Sequence, residues 1–183
     1  LAYLNYLINP EDTVSFERIL NVPKRGIGES TLQKLRDYAN KNEISLSKSI
    51  ENLDEINNLS DRVKKQINNF KEIINDLKSF ALQGPSETIS KTLELTGYKD
   101  ELVKEGTLDS QMRLENLDEL LTSAFEFENL YEEDIEDPFT VLRDYLESIA
   151  LFTDSDDVDK EDRILLMTLH NAKGLEFPVV FMT

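Results

Sequence analysis

A mainly α-helical domain, followed by a short β segment at its C-terminal end, is the fold that this 183-residue sequence predicts. Three observations carry the expectation. Apolar residues recur with the spacing of one helix face through residues 1 to 152. Ser, Asp, Gly and Pro stand at the points where such stripes start and stop. After Arg163 the pattern changes to continuous apolar runs of strand length, which mark strands covered on both faces.

The first helix runs to Asn9-Pro10, because proline lacks an N–H and restrains the residue before it. Asp12 is placed to cap the second, on which Phe16, Ile19 and Leu20 share a face. Residues 23 to 28 form a tight connector, and Ser30 opens a third helix carrying Leu32, Leu35 and Ala39. A short helix is expected from Leu46 to Leu53. The clearest helix starts at a Ser60 cap and reaches about Leu82, with Val63, Ile67, Phe70, Ile74, Leu77 and Ala81 at alternating steps of four and three. That stripe reads as the core-facing side of an antiparallel bundle and not as a dimerising coiled coil.

Gly84-Pro85 then breaks the chain, and Ser86 caps a helix that stops at Gly97. Ser110 caps another, with Leu114, Leu117, Leu121 and Ala124 in line. Asp137-Pro138 pairs a cap with a proline at the first helical position, opening a helix through Leu142, Leu146 and Ile149. Two acidic stretches, Glu132 to Asp137 and Asp154 to Asp162, lack the glycine and spaced oxygen ligands of a calcium loop and read as solvated linkers. Ile164 to Leu169 and Phe177 to Met182 are the two strand-like runs. They need a sheet whose remainder lies elsewhere. Together with the start at Leu1-Ala2-Tyr3-Leu4, without Met or cap, they give the expectation of an internal piece of a longer chain.

Composition narrows the chemistry. A hydrophobic fraction of 39% supports a packed core. There is no cysteine and only one histidine, which excludes a disulfide scaffold, a thiol nucleophile and a Cys-based or multi-histidine metal site. No run approaches the roughly 18 apolar residues of a membrane span, and no signal-peptide pattern opens the chain. A cytoplasmic protein without membrane contact is expected. The formal net charge of −17 opposes dedicated nucleic-acid binding, which rests on Lys and Arg neutralising phosphates. The same charge also reads as a solvated acidic surface.

Two constellations carry function. Val22-Pro23-Lys24-Arg25-Gly26-Ile27-Gly28, between two amphipathic helices, resembles a helix–hairpin–helix motif. Gly26 and Gly28 let the backbone turn and bring its N–H groups to a phosphate, aided by the positive end of the next helix. Ile27 points inward as anchor, while Lys24 and Arg25 add charge on the phosphate side. Such contact is blind to base sequence. The plain alternative is a linker between two helices.

The second constellation is Leu166-Met167-Thr168-Leu169-His170-Asn171-Ala172-Lys173-Gly174-Leu175-Glu176-Phe177. It lies where a strand ends, the place where ligands gather on parallel α/β sheets. Period two puts Thr168 and His170 on one face. Gly174 frees a backbone N–H for close approach, and Glu176 supplies a hydroxyl acceptor.

This block closely resembles motif V of the UvrD/PcrA/Rep-type superfamily 1 DNA helicases, "MT-x-H-x-AKGLEFP-x-VF". Leu1 to Gly28 is similar to the segment in which that family's 2A subdomain passes into 2B. Arg113-Leu114-Glu115-Asn116-Leu117-Asp118-Glu119-Leu120 is similar to a further 2B helix. The resemblance implies a division of the chain. Residues 1–10 would be the edge of 2A, residues 11–160 a helical 2B-like insertion, and residues 161–183 a strand–loop–strand of the RecA-like α/β domain 2A.

It also implies roles. Thr168, His170 and the Gly174 region would lie near single-stranded DNA, Glu176 at the ribose of bound ATP, and Lys24, Arg25, Gly26, Ile27 and Gly28 on duplex DNA. The parent protein would be an ATP- and Mg²⁺-dependent 3′-to-5′ helicase. Its partners would be duplex and single-stranded DNA, the remaining helicase subdomains, and repair or transcription proteins. The sequence has no G-x-x-x-x-G-K-[ST] phosphate loop, so the piece by itself is expected to be catalytically inactive. The rival reading is a free-standing acidic helical interaction module.

Overall fold

In a computed structural model, residues 1–131 and 139–154 are described, with side chains through residue 150. Nine helices occupy these residues: α1 (Ala2–Ile8), α2 (Thr13–Leu20), α3 (Glu29–Lys41), α4 (Leu46–Ser49), α5 (Asp61–Ala81), α6 (Pro85–Thr96), α7 (Tyr98–Glu105), α8 (Leu108–Leu130) and α9 (Thr140–Asp154). The described part is mainly helical, and among the described residues there is no strand. None of these helices is long and apolar enough to cross a membrane. The strand-like runs, motif V, Asp137-Pro138 and most of both acidic stretches lie outside the described residues.

The apolar stripes bury against each other in two adjoining cores. The first gathers Phe16, Ile19 and Leu20 of α2, Leu35 of α3, and Ile67, Phe70, Ile74 and Leu77 of α5. Phe16 and Phe70 meet edge-on, 6.1 Å between ring centres, a geometry that places the positive ring edge on the negative face. The second gathers Ile89 and Leu93 of α6, Ala124 of α8, and Leu142 and Tyr145 of α9. α1 and α5 serve both. Tyr6 and Leu7 enter the first core and Leu4 the second, while α5 runs from Ile67 in the first to Ala81 in the second. The first and last helices, α1 and α9, pack on each other.

Helix starts follow capping chemistry, though not always at the expected residue. Asp12 accepts from Ser15 N–H at 3.0 Å, and Ser60 accepts from Val63 N–H, as the sequence predicts. The third helix instead begins at Glu29 with Gly28 as its cap, and Ser30 lies inside its first turn. Gly84 and not Ser86 occupies the cap of α6, followed by Pro85 at the first helical position. Thr107 caps α8, and Ser110 is its third helical residue: each accepts from the other's backbone N–H in a reciprocal capping box. A serine three residues inside a helix and a serine at its cap look alike in sequence.

Two further differences concern element length. α4 is a single turn, and Ile50 and Leu53 are buried from the turns that follow it. α7 has no counterpart in the sequence reading. It buries only Leu102 and is bounded by Gly97 and Gly106, both left-handed, so it offers no stripe long enough to see. On α6 the buried hydroxyls of Thr88 and Thr92 bond back to the carbonyls of Gly84 and Thr88, four residues earlier in each case. That satisfies them without an outside partner.

Candidate nucleic-acid interface

Residues 21–28 connect α2 to α3, and their shape is set from below. Asn21, at the end of α2, accepts with one side-chain oxygen from both Arg25 N–H (2.8 Å) and Ile27 N–H (3.1 Å). A single amide thereby folds the loop over itself, as Asn does in turns. Ile27 is 3% exposed and enters the first core, so the loop is anchored where the sequence predicts. Pro23 is buried as well, and the Val22–Pro23 peptide is cis.

The two glycines differ in what they contribute. Gly26 has φ +74°, a left-handed conformation that costs a side-chain-bearing residue roughly 1–2 kcal/mol. Gly28 is extended at φ −88° and ψ 175°, a conformation open to any residue. A Cβ at either position would meet nothing within 4 Å. Gly28 therefore contributes access, leaving the face of the helix start bare, while Gly26 makes the turn.

Both glycines and Lys24 are exposed. Among the described residues, the N–H groups of Gly26, Gly28, Glu29 and Ser30 have no hydrogen-bond acceptor, and the Lys24 ammonium has no ion-pair partner. These donors stand at the N-terminal end of the 13-residue α3, where helix dipole and unsatisfied N–H groups favour an anion. The neighbouring acids are partly occupied. Glu29 pairs with Arg36 at 2.8 Å, and Arg36 also holds Glu17 at 2.9 Å. Glu101 of α7 reaches the Lys24 backbone N–H at 3.5 Å, the edge of hydrogen-bond range.

Arg25 departs from expectation. The sequence reading set its charge beside that of Lys24 on the phosphate side. In the structure its guanidinium turns inward. Nη1 donates to the carbonyls of Ile19 (2.9 Å), Pro23 (3.3 Å) and Leu20 (3.4 Å), and Nη2 to the Tyr3 hydroxyl at 2.6 Å. Its central carbon also lies over the Phe70 ring, 5.3 Å from the ring centre. The cause is the end of α2, whose last carbonyls lack helical partners and draw a cation with several donors. Tyr3 was not among the sequence-predicted site residues. Its hydroxyl accepts from Arg25 and lies 2.6 Å from the Val22 carbonyl. Burial raises its pKa, an effect that the adjacent guanidinium offsets in part. No local signal links residues 22 positions apart.

The other predicted positions, Thr168, His170, Gly174 and Glu176, lie outside the described residues.

Comparison with known proteins bears on the whole chain. The model of the UvrD-like helicase C-terminal domain family matches residues 1–183. The chain is 39% identical, over all 183 residues, to proteins named ATP-dependent DNA helicase PcrA from Staphylococcus aureus (strain NCTC 8325 / PS 47) and Staphylococcus epidermidis (strain ATCC 12228 / FDA PCI 1200). It covers 24% of the length of each of these relatives. A match from the first residue to the last disfavours a free-standing interaction module. The chain belongs to the UvrD-like helicase C-terminal domain family, of the UvrD/PcrA type.

Proposed function

We propose that this chain is the duplex-gripping part of an ATP-dependent 3′-to-5′ DNA helicase that acts in DNA unwinding, repair or replication. In this reading residues 1–10 edge the 2A subdomain, residues 11–160 form the helical 2B-like insertion, and residues 161–183 return to 2A with motif V. The observation that carries it is the loop before α3. Lys24 and the free N–H groups of Gly26, Gly28, Glu29 and Ser30 lie together in one exposed loop and helix start, with Ile27 as anchor. A backbone phosphate fits that donor set, and base edges are not needed. The packing of α1 on α9 suits an insertion, whose two ends must return to one host domain.

ATP and Mg²⁺ belong to the full-length protein, with Glu176 at the nucleotide and Thr168, His170 and Gly174 at the single strand. Remaining helicase subdomains and repair or transcription proteins are its further partners. The test is blunt-duplex binding by the full-length protein across a salt series. Lys24→Ala should weaken binding and lower the slope of log K against log salt by about 0.9, the share of one phosphate. Gly28→Ala should weaken it with no change in melting temperature. Unchanged affinity and slope in both variants would mean that the loop is only a connector.

A further inference from the structure

We propose that Arg25 is a positioning residue for the phosphate-contacting loop, held in place by the Tyr3 hydroxyl of α1, and that it does not itself bind phosphate. The inference rests on the duplex-binding reading above and adds how that site is shaped. The guanidinium's four hydrogen bonds go to oxygens of α1, α2 and the loop: the Ile19, Leu20 and Pro23 carbonyls and the Tyr3 hydroxyl. Its central carbon lies over the ring of Phe70, which is fully buried in the first core. Swinging out to a phosphate would take from the Leu20 and Pro23 carbonyls the donor that Arg25 gives them, and would leave Tyr3 only its own donation to the Val22 and Ile19 carbonyls. Partly buried acceptors that lose a charged donor carry a cost.

The same contacts set where Lys24 and Gly26 can be. Pro23 and Val22 carbonyls, both tied to the Arg25–Tyr3 pair, immediately precede Lys24. The Arg25 N–H is itself fixed by Asn21, so backbone and side chain of one residue are both pinned. Tyr3 sits on α1, which serves both cores, so the loop is referenced to a helix shared by the two cores and not merely to its neighbours α2 and α3. Lysine cannot substitute. It carries the charge, but a single ammonium cannot span carbonyls and phenol in one plane.

The experiment is a double-mutant cycle in the full-length protein, read by binding to a short fluorescein-labelled blunt duplex and by thermal melting. Tyr3→Phe removes one hydroxyl and should lower duplex affinity roughly three- to tenfold, the span of a net hydrogen bond. Arg25→Lys should lower it as much or more, although a directly bound phosphate would accept lysine nearly as well. The double variant should lose little more than Arg25→Lys alone, because both changes break one linkage. Wild-type affinity in Arg25→Lys, or strictly additive losses, would overturn the proposal. If Arg25→Lys fails to fold, Tyr3→Phe decides alone: wild-type affinity there also overturns it. Lys24→Ala separates the two levels. A loss in Lys24→Ala without one in Tyr3→Phe rejects the positioning role only, whereas no loss in Lys24→Ala rejects duplex contact at this loop.

Discussion

Glu128, near the end of α8, receives both the backbone N–H of Ser86 (2.7 Å) and its hydroxyl (2.5 Å), across 42 residues of sequence. A carboxylate on one helix thus caps the N-terminus of another. α6 needs it, because its own cap residue, Gly84, has no side chain to offer. The negative charge also lies at the positive end of the helix dipole. This pair fastens the α5–α6 turn to the long helix of the second core.

Glu128→Ala should cost about 1–2 kcal/mol, the range of a lost N-terminal cap, measured by denaturant unfolding. Gly84 lies at φ +116° and ψ 169°, a region closed to residues with a side chain, and a Cβ there would collide with the Glu128 carboxylate. Gly84→Ala should therefore cost about 1–3 kcal/mol. The double variant should be more stable than the sum of the two losses implies, since removing the carboxylate removes the collision. Simple additivity would show that the two sites do not meet.

Asp12 gives a pH-dependent counterpart. Hydrogen bonds from the Ser15 hydroxyl and N–H, with lesser help from the Val14 N–H and the Arg18 charge, hold its carboxyl below the ordinary Asp value against the opposing effect of burial. A depressed folded-state pKa gives stability that is present above the unfolded value, about 3.9, and is lost as pH falls through the folded one. Asp12→Ala should thus destabilise by about 1 kcal/mol at pH 7, and the gap to wild type should narrow below pH 4. Melting temperatures of both proteins across acid pH check this. A gap that held constant to pH 2 would show that the charge contributes nothing.

Asn21 separates folding from binding. Asn21→Asp keeps an oxygen that can accept from Arg25 N–H and Ile27 N–H, so the loop should retain its shape and the melting temperature should change little. The added charge, beneath a loop that meets phosphate, should still weaken duplex binding, and more so at low salt where screening is least. Asn21→Ala should lower stability as well, because two loop N–H groups lose their acceptor. Duplex affinity in Asn21→Asp equal to wild type at low salt would count against phosphate near this loop.

Much of this protein was determined by sequence alone. Helix stripes such as Ile67, Phe70, Ile74 and Leu77 fix which face is buried, because a period near 3.6 can satisfy only one side of a helix. Caps whose side chain and target lie three residues apart, as with Asp12 and Ser60, were legible for the same local reason. So was the loop: Gly26 must turn and Ile27 must anchor. Tertiary structure decided the contacts between residues distant in sequence. Whether Arg25 reaches outward or folds back depends on Tyr3, the α2 carbonyls and Phe70 meeting around it. Whether α6 is capped by its own serine or by Glu128 depends on where α8 packs. A guanidinium or carboxylate goes to the nearest unsatisfied partner, and only the assembled fold determines which partner is near.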